Sequence, residues 1–242
     1  MTTILGLDQG EGRPFHEIAD AVSAMTKRPV YFMAHMYTTP RGAILYHWEN
    51  GPLDHRVNLE SAREVWDFSA RNVARYPTSV RPKVHHVPCG YHPSMRRFRP
   101  ASRPSFDVAW IGSINDRRAT ILDGLRRRDM HVIMIDSWGR ERNAILAASR
   151  VVLNMRFYED GVFPVLRSAH ATANMIPCVA EVSPEIPAWV LYRADFDHLV
   201  DCTIDLVRAS DKARRALAID ALKRFRQSPL TLPEPEFHGA AK

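Results

Sequence analysis

The sequence predicts an α/β protein built from two halves, each with a parallel sheet. Short apolar runs alternate with helical patterns along most of the 242 residues. The composition, 45% hydrophobic and 25% charged, is that of an ordinary globular chain. A stretch rich in proline and arginine, at about 89–105, divides the pattern in two. Strands that alternate with helices form parallel sheets covered on both faces.

The first half is predicted to be small and to open on a strand, a glycine-containing turn and a helix. Four apolar runs are predicted to be strands, at 2–7, 30–34, 43–47 and 84–87. A helical pattern at about 13–25 follows the first strand, and Ser69 is predicted to cap a short helix that ends at Arg75. We place the boundary of this half at residue 95.

The second half, 96–210, shows the more regular alternation. Its predicted strands are 106–111, 132–135, 151–154, 176–180 and 190–192. Its predicted helices are 115–128, 139–149 and 161–174, with an amphipathic helix that begins at Asp195. A basic helix at 211–227 and a tail form a third segment, 211–242. Ligands of parallel sheets bind at the carboxyl ends of the strands, so the turns that follow these strands are the expected site.

Charge and cysteine content limit the partners and the compartment. The net charge of +6 favours anionic partners: nucleotide phosphates, nucleic acid or an acidic membrane face. The three cysteines are scattered and form no CxxC pair, so we expect neither a disulfide framework nor a zinc ribbon. No apolar run is long enough to cross a membrane, and the first residues do not resemble a secretory signal. A cytoplasmic protein is therefore expected.

A resemblance to a known family begins at the first strand of the second half. The segment 108–118, VAWIGSINDRR, resembles the start of the donor-binding domain in small GT-B glycosyltransferases. In that group a strand, Gly-Ser and Asn-x-Arg-Arg open a helix. The similarity continues through segments 138–154 and 157–181. Shorter matches upstream, at 45–49, 65–72 and 86–91, extend it over roughly residues 44–209.

The resemblance implies a GT-B-like fold of two Rossmann-like halves, with a small N-terminal one. It implies transfer of a sugar from a nucleotide sugar, such as a UDP- or GDP-sugar, with no other cofactor and no metal. The acceptor is open among a small molecule, a glycan and a modified DNA base, and the oligomeric state is open as well. Pro164 stands where the family often has a second acidic residue. A non-catalytic nucleotide- or nucleic-acid-binding protein on a degenerate glycosyltransferase fold is therefore the alternative.

The family register and the chemistry of a diphosphate leaving group together predict the donor site. A glycine turn, a helix N-terminus and arginines would stabilise the charge that grows on the diphosphate. A carboxylate after a strand would accept the ribose hydroxyls, and an aromatic ring would stack on the base. The predicted donor-binding residues are Gly112, Ser113, Asn115, Arg117, Arg118, Trp138, Glu159, Phe163 and Arg167. For Asn115, Arg117 and Arg118 the structural alternative is a helix cap followed by solvated arginines.

A transfer that inverts the sugar needs a general base from the first half. We favour Glu49, which follows an apolar run, with Asp8 as the second choice and Asp54 and His16 behind them. A retaining transfer would need no such base.

Two patterns that might hold a metal are better explained by structure. Asp195-Phe196-Asp197 has the D-x-D form, but it opens an amphipathic helix with Phe196 directed into the core. His85 and His86 are neighbours on a strand, so their side chains point to opposite faces. No required metal is expected.

Overall fold

Two five-stranded parallel sheets carry the fold. The structure is a computed structural model, and it describes residues 4–7, 16–26, 30–33, 42–48 and 59–233. Both sheets are built from short strands that run in one direction, with helices between them. The predicted class, α/β with two Rossmann-like halves, is confirmed by this arrangement. The boundaries at 95 and 210 stay predictions.

The first sheet lies within residues 4–86 and has the order β2-β1-β3-β4-β5. Its strands are β1 (Ile4–Leu7), β2 (Val30–Met33), β3 (Ile44–His47), β4 (Glu64–Asp67) and β5 (Val84–His86). The helices of this half are α1 (His16–Thr26) and α2 (Ala70–Arg75). The register aligns Leu7, His47, Asp67 and His86 in one row at the carboxyl edge. The backbones at these strand ends are therefore neighbours although they are distant in sequence, and among the described side chains His47 contacts Asp67.

The second sheet has the order β10-β9-β8-β6-β7. Its strands are β6 (Phe106–Ile111), β7 (Val132–Ile135), β8 (Ser149–Asn154), β9 (Cys178–Glu181) and β10 (Tyr192–Ala194). Its helices are α3 (Asp116–Arg127), α4 (Gly139–Ala147), α5 (Val165–Ala173) and α6 (Leu199–Arg208). The central strands β6 and β8 are almost wholly buried because their apolar side chains are covered by helices on both faces.

The last helix joins the two halves. Helix α7 (Asp211–Arg226) packs on α5, and the chain then returns to the first half. There the Tyr91 amide donates to the Ser228 carbonyl and the Leu230 amide donates to the Tyr91 carbonyl. Phe225 is fully buried in a cluster that also contains Tyr46 and Trp66. A shared apolar core therefore lies between the halves, with aromatic residues from both.

Some element boundaries differ from the predicted ones, each for a local reason. The helix predicted from residue 161 begins at Val165, because Pro164 occupies its N-cap position. The strand predicted at 190–192 is β10, two residues later, since the Val190 amide donates to the Pro187 carbonyl in a turn. The helix predicted at Asp195 opens with a 3-10 turn at Phe196–His198 before α6. Ser69 caps α2 as predicted, accepting a hydrogen bond from the Asn72 amide.

Helices long and apolar enough to cross a membrane are absent from the described part of the chain.

Candidate functional site

Four arginines gather around one carboxylate at the carboxyl edge of the second sheet. They are Arg117 and Arg118 at the start of α3, Arg156 after β8, and Arg167 on α5; we call them the arginine cluster. The carboxylate is that of Glu181, the last residue of β9. Among the described residues, Arg117 and Arg156 hydrogen-bond to this carboxylate, and Arg118 lies close enough to interact with its charge, so three positive charges share one negative charge. An anionic ligand would neutralise the excess.

The turn after β6 brings backbone and cation together. Gly112 has φ +124°, a conformation that favours glycine, and a β-carbon added there would lie 2.5 Å from Nη2 of Arg167. The guanidinium group of Arg167 also donates to the Asn154 side chain and the Met155 carbonyl, both at 3.3 Å. Only a residue without a side chain fits beside this half-buried arginine. Gly112 and Arg167, predicted separately, are thus direct neighbours.

Arg118 is buried and holds the loops of the site together. Its guanidinium group donates to the carbonyls of Ser113, Met155 and Arg156, at 2.8 to 3.1 Å. Burial, together with the positive charges of Arg167 and Arg117, lowers the pKa of Arg118 to about 9. This arginine is 1% exposed, so the solvated alternative is wrong for it. Its position links the turn after β6 to the loop after β8.

Arg117 and Arg156 both bind Glu181. Nη1 of Arg117 lies 3.0 Å from Oε2 of Glu181, and Nε of Arg156 lies 3.0 Å from Oε1. The Arg156 amide donates to the same carboxylate at 3.0 Å. Burial would raise the pKa of Glu181, but these hydrogen bonds and charges outweigh it and the pKa is lowered. Arg117 also lies over the Phe196 ring, 3.9 Å from its centroid.

The helix start adds backbone donors to the site. Asn115 is the N-cap of α3: its side chain accepts from the Arg118 amide at 3.1 Å and donates to the Phe157 carbonyl at 2.8 Å. The structural alternative of a helix cap is therefore correct for Asn115. Gly112 and Ser113 are exposed beside it. The first amides of a helix have no partner within the helix, and they attract anions.

The remaining predicted donor residues, Glu159, Trp138 and Phe163, differ in their burial and in the groups that they contact. The Glu159 side chain is exposed, and its backbone carbonyl accepts from Arg156. Trp138 precedes α4 and packs, half-buried, against a core cluster that contains Ile111 and Leu146. Phe163 is buried in the shared core between the halves.

A cavity of about 410 Å³ lies between the two halves. Phe68 and His86 line it from the first sheet, and Phe163 and Trp189 line it from the second half. On one side the halves are joined by a hydrogen bond of 2.6 Å from the Ser69 hydroxyl to the Glu185 carboxylate. Of the predicted donor residues its lining includes Phe163, whereas the residues of the arginine cluster do not line it.

The first sheet presents a buried His–Asp pair at its carboxyl edge. Nδ1 of His47 lies 2.8 Å from Oδ2 of Asp67, and both side chains are fully buried. The carboxylate of Asp67 also accepts from the Ser69 amide, Asn72 and the Tyr76 hydroxyl. Nε2 of His47 has no hydrogen-bond partner among the described residues. The carboxylate of Asp67 is thus bound by a backbone amide, an asparagine, a tyrosine and a histidine, whereas that of Glu181 at the second edge is bound by arginines.

The predicted bases cannot be compared with this pair in space. Asp8, Glu49 and Asp54 lie outside the described residues. His16 begins α1, and its side chain lies outside them too.

The described residues contain no group of three or more His, Cys, Asp or Glu side chains that could hold a metal ion. Asp195 and Asp197 flank Phe196, whose ring packs partly buried against the core, as predicted. His86 contacts the Phe68 carbonyl at 3.2 Å, whereas His85 lies 3.9 Å from Glu64. Metal independence stays a prediction.

Sequence patterns missed four residues of these edges: Arg156, Glu181, His47 and Asp67. Glu181 ends β9 within the segment 157–181 that carries the family resemblance, and Arg156 follows the end of β8 in the gap between the two matched segments. A rule that every charged residue at a strand end counts as a site residue would have found them.

Two sequence relatives of this chain are uncharacterized proteins of one virus. No protein-family model matches the chain. It is similar to an uncharacterized protein of Acanthamoeba polyphaga mimivirus, 27% identical over 126 residues, which cover 49% of this chain and 40% of the relative. A second uncharacterized protein of the same virus is 20% identical over 188 residues, which cover 72% of this chain and 25% of the relative. The matched regions thus span less than half of either relative.

Two solved structures are similar over most of the chain. The lipopolysaccharide outer core galactosyltransferase WaaB, in its apo form, has a TM-score of 0.48 and 11% identity, covering 93% of this chain and 95% of that one. An α1,3-fucosyltransferase has a TM-score of 0.45 and 10% identity, covering 97% of this chain and 83% of that one. Both likenesses are distant and concern the overall α/β arrangement.

Proposed function

We propose that this chain is a glycosyltransferase that takes a sugar from a nucleotide-sugar donor and binds the donor diphosphate at the arginine cluster. The observation that carries the proposal is the excess of positive charge around the Gly112 turn. Arg167 lies against that glycine, and Arg118 holds the neighbouring loops. The site lies at the carboxyl ends of parallel strands, where such sheets bind ligands.

The electrostatics of the cluster suit a leaving group that gains negative charge. Arg118 has a pKa lowered to about 9, by burial and by repulsion from Arg167 and Arg117. A diphosphate placed near these groups would relieve the repulsion and raise that pKa again. When the bond between the sugar and the diphosphate breaks, the added charge falls on the phosphate oxygens, so the same arginines stabilise the transition state more than the ground state.

We assign the remaining donor contacts by chemistry. Gly112 and Ser113 would offer backbone and hydroxyl donors to the phosphates, and Glu159 would accept the ribose hydroxyls. Trp138 would stack on the base, and Phe163 would shape the cavity between the halves. In this assignment Asn115 and Arg117 position other groups of the site. Asn115 caps α3, and Arg117 is bound to Glu181.

The catalytic base of an inverting transfer is proposed to be Glu49 or Asp8. In the chain, Asp8 immediately follows Leu7, and Glu49 follows His47 by two residues, so both come just after the row of strand ends in the first sheet. The base would take the proton from the acceptor hydroxyl while the acceptor oxygen bonds to the anomeric carbon. His47 and Asp67, both fully buried, are assigned a supporting role at this edge.

Titration calorimetry with UDP, GDP and ADP tests the donor site. We expect one nucleoside diphosphate to bind with a dissociation constant in the micromolar range, and Arg167→Gln to weaken it by roughly tenfold or more, since a hydrogen bond to a charged group contributes about 1.5–3 kcal/mol. Arg103→Gln, an exposed arginine of the segment between the halves, is the matched control and should bind as the wild type does. Absence of binding to all three nucleotides would refute the proposal.

A binding protein without catalysis is the second candidate. Pro164 favours it, because it caps α5 without a side-chain hydrogen bond at the position where the family often has an acid. Release of free sugar from UDP-sugars or GDP-sugars, or transfer to any acceptor in a panel of glycans, metabolites and DNA, would exclude it. Nucleotide binding without either reaction would favour it.

A cytoplasmic location and independence from metals complete the proposal. All three cysteines are free, and two of them, Cys89 and Cys178, are buried. Free thiols are typical of a reducing compartment. Transfer that persists in EDTA would support the absence of a required metal.

A further inference from the structure

A second basic cavity lies at the opposite edge of the second sheet. It has a volume of about 510 Å³ and is formed by the segment between the halves, the amino ends of β8 and β9, and the start of α7. Five arginines line it, and we call it the basic pocket: Arg96, Arg99, Arg150, Arg214 and Arg215. It contains two of the four arginines that the sequence shows near residue 100.

The basic pocket is separate from the donor edge. Ser149 and Arg150 line it at the start of β8, whereas the arginine cluster follows the end of that strand. A strand advances roughly 3.3 Å per residue, so the six residues of β8 separate the two sites by about 17 Å. One diphosphate could not contact both.

Two of the five arginines already have structural partners. Arg214 is buried, pairs with Asp211, and donates to the carbonyls of Val207 and Ala209, which fixes α7 on the end of α6. Arg150 pairs with Asp107 at 3.3 Å. These contacts hold Arg150 and Arg214 in the wall of the pocket, and their carboxylate partners partly balance the positive charge of the two arginines.

The other three arginines carry the excess charge. Arg96, Arg99 and Arg215 are exposed, and within the described ranges none of them forms an ion pair with a carboxylate. They reach one concave space from two different segments, the segment between the halves and the start of α7. The N-terminal end of α7, a 16-residue helix, adds partial positive charge at the same place. Like charges repel, so this arrangement is most stable with an anion between them.

We propose that the basic pocket is a second anion site, which binds the phosphate groups of a ligand, either a free phosphate compound or the headgroup of a phospholipid. Arginine binds phosphate through parallel hydrogen bonds, and three arginines around 510 Å³ suit a discrete, multiply charged group. A concave site of this size fits a small ligand or the headgroup of a phospholipid better than the backbone of a duplex, which needs an extended surface. The inference does not depend on the donor site.

Calorimetry with inorganic pyrophosphate on the Arg167→Gln protein tests the site, because that background weakens the proposed donor edge. The pocket variant is Arg96→Gln/Arg99→Gln/Arg215→Gln. The control variant is Arg75→Gln/Arg103→Gln/Arg127→Gln, which removes the same charge from three exposed positions outside the pocket. We expect the pocket variant to lose at least tenfold in pyrophosphate affinity and the control to stay within twofold. Thermal melting of both variants checks that they remain folded.

Two results would overturn the proposal: no pyrophosphate binding in the Arg167→Gln background, or an equal loss in both triple variants, which would indicate net charge alone. Co-sedimentation with vesicles of phosphatidylcholine containing phosphatidate distinguishes the two sources of phosphate. Vesicle binding lost only in the pocket variant identifies a lipid headgroup, and pyrophosphate binding without vesicle binding identifies a free ligand. Salt-sensitive binding to duplex DNA at the same three arginines, with no pyrophosphate binding, would replace the proposal with a nucleic-acid surface.

Discussion

The carboxyl edges of the two sheets are alike in geometry, but the described residues at the two edges differ in charge. At the first edge, Asp67 lies in a fully buried network of hydrogen bonds with His47, Tyr76 and neighbouring groups. At the second edge, Glu181 is surrounded by arginines, and the positive charge exceeds the negative. A parallel sheet therefore supplies the place for a ligand, and the residues at its strand ends decide which charge that ligand has.

Removal of the carboxylate at each edge should produce the largest contrast. Glu181→Gln leaves Arg117 and Arg156 without their counter-charge, so we expect a loss of about 3 kcal/mol in the free energy of unfolding. Asp67→Asn keeps most of its neutral partners and should cost about 1–2 kcal/mol. Chemical denaturation measures both. Phosphate in the buffer should restore stability to Glu181→Gln and not to Asp67→Asn; an equal response would break the contrast.

The junction between the halves should respond to acid separately from both edges. His170 lies beside the buried Glu17–Arg142 ion pair, and its Nε2 donates a hydrogen bond to Oδ1 of Asn143 at 2.9 Å. Burial and the positive charge of Arg142, opposed by Glu17, lower the pKa of His170 to about 4.

Between pH 6.5 and about 4 the unfolded chain therefore takes up a proton at residue 170 that the folded chain excludes. The stability contributed by neutral His170 is complete above pH 6.5 and declines as the pH falls to about 4, at roughly 1.4 kcal/mol per pH unit and about 3 kcal/mol in all. His170→Gln should remove this slope, which denaturation at several pH values would measure. The acids with lowered pKa values, Glu17 and Glu181, titrate in a lower window. A slope that survives the substitution would assign the acid response to another group.

Gly112→Ala should separate the backbone of the second edge from its charges. The new β-carbon would meet Arg167 at 2.5 Å and displace it, so we expect nucleoside diphosphate affinity to fall by about tenfold, or 1.4 kcal/mol. Gly139→Ala is the matched control, because it also has a positive φ, +61°, but nothing lies within 4 Å of its added carbon. Equal loss in the two variants would show that backbone strain, rather than the position of Arg167, is responsible.

The smallest effect should come from the contact that ties the first edge to the second half. Ser69→Ala removes both the cap of α2 and the hydrogen bond to Glu185. Ser210→Ala removes only the exposed cap of α7, which typically costs about 1 kcal/mol. Denaturation should show Ser69→Ala to be destabilised by roughly 1 kcal/mol more than Ser210→Ala. Equal values would mean that the contact between the halves contributes nothing.

Local sequence patterns predicted the elements well because each depends on nearby residues. Apolar runs predicted the buried strands β6 and β8, and Ser69 and Asn115 occupy caps that their side chains favour. The start of α5 was missed by four residues because the effect of Pro164 was not included.

The pairing of charges could not be predicted in the same way. Arg117 and Glu181 are 64 residues apart, and they meet only because β9 lies beside β8 and β8 beside β6. The contact between His47 and Asp67 likewise depends on the register of β3 and β4. Strand order and register arise from packing over the whole sheet, which a single sequence does not reveal. The family resemblance predicted Gly112 and Arg167 as donor-binding residues. It did not predict that Arg156 and Glu181 lie at the same edge.

A crystal structure of the protein soaked with the tightest-binding nucleoside diphosphate would examine the central claim most directly. We predict phosphate density between the Gly112–Ser113 turn and the guanidinium group of Arg167, at hydrogen-bonding distance from both. Phosphates bound at the His47–Asp67 edge, or no density near Arg167 at a saturating concentration, would contradict it.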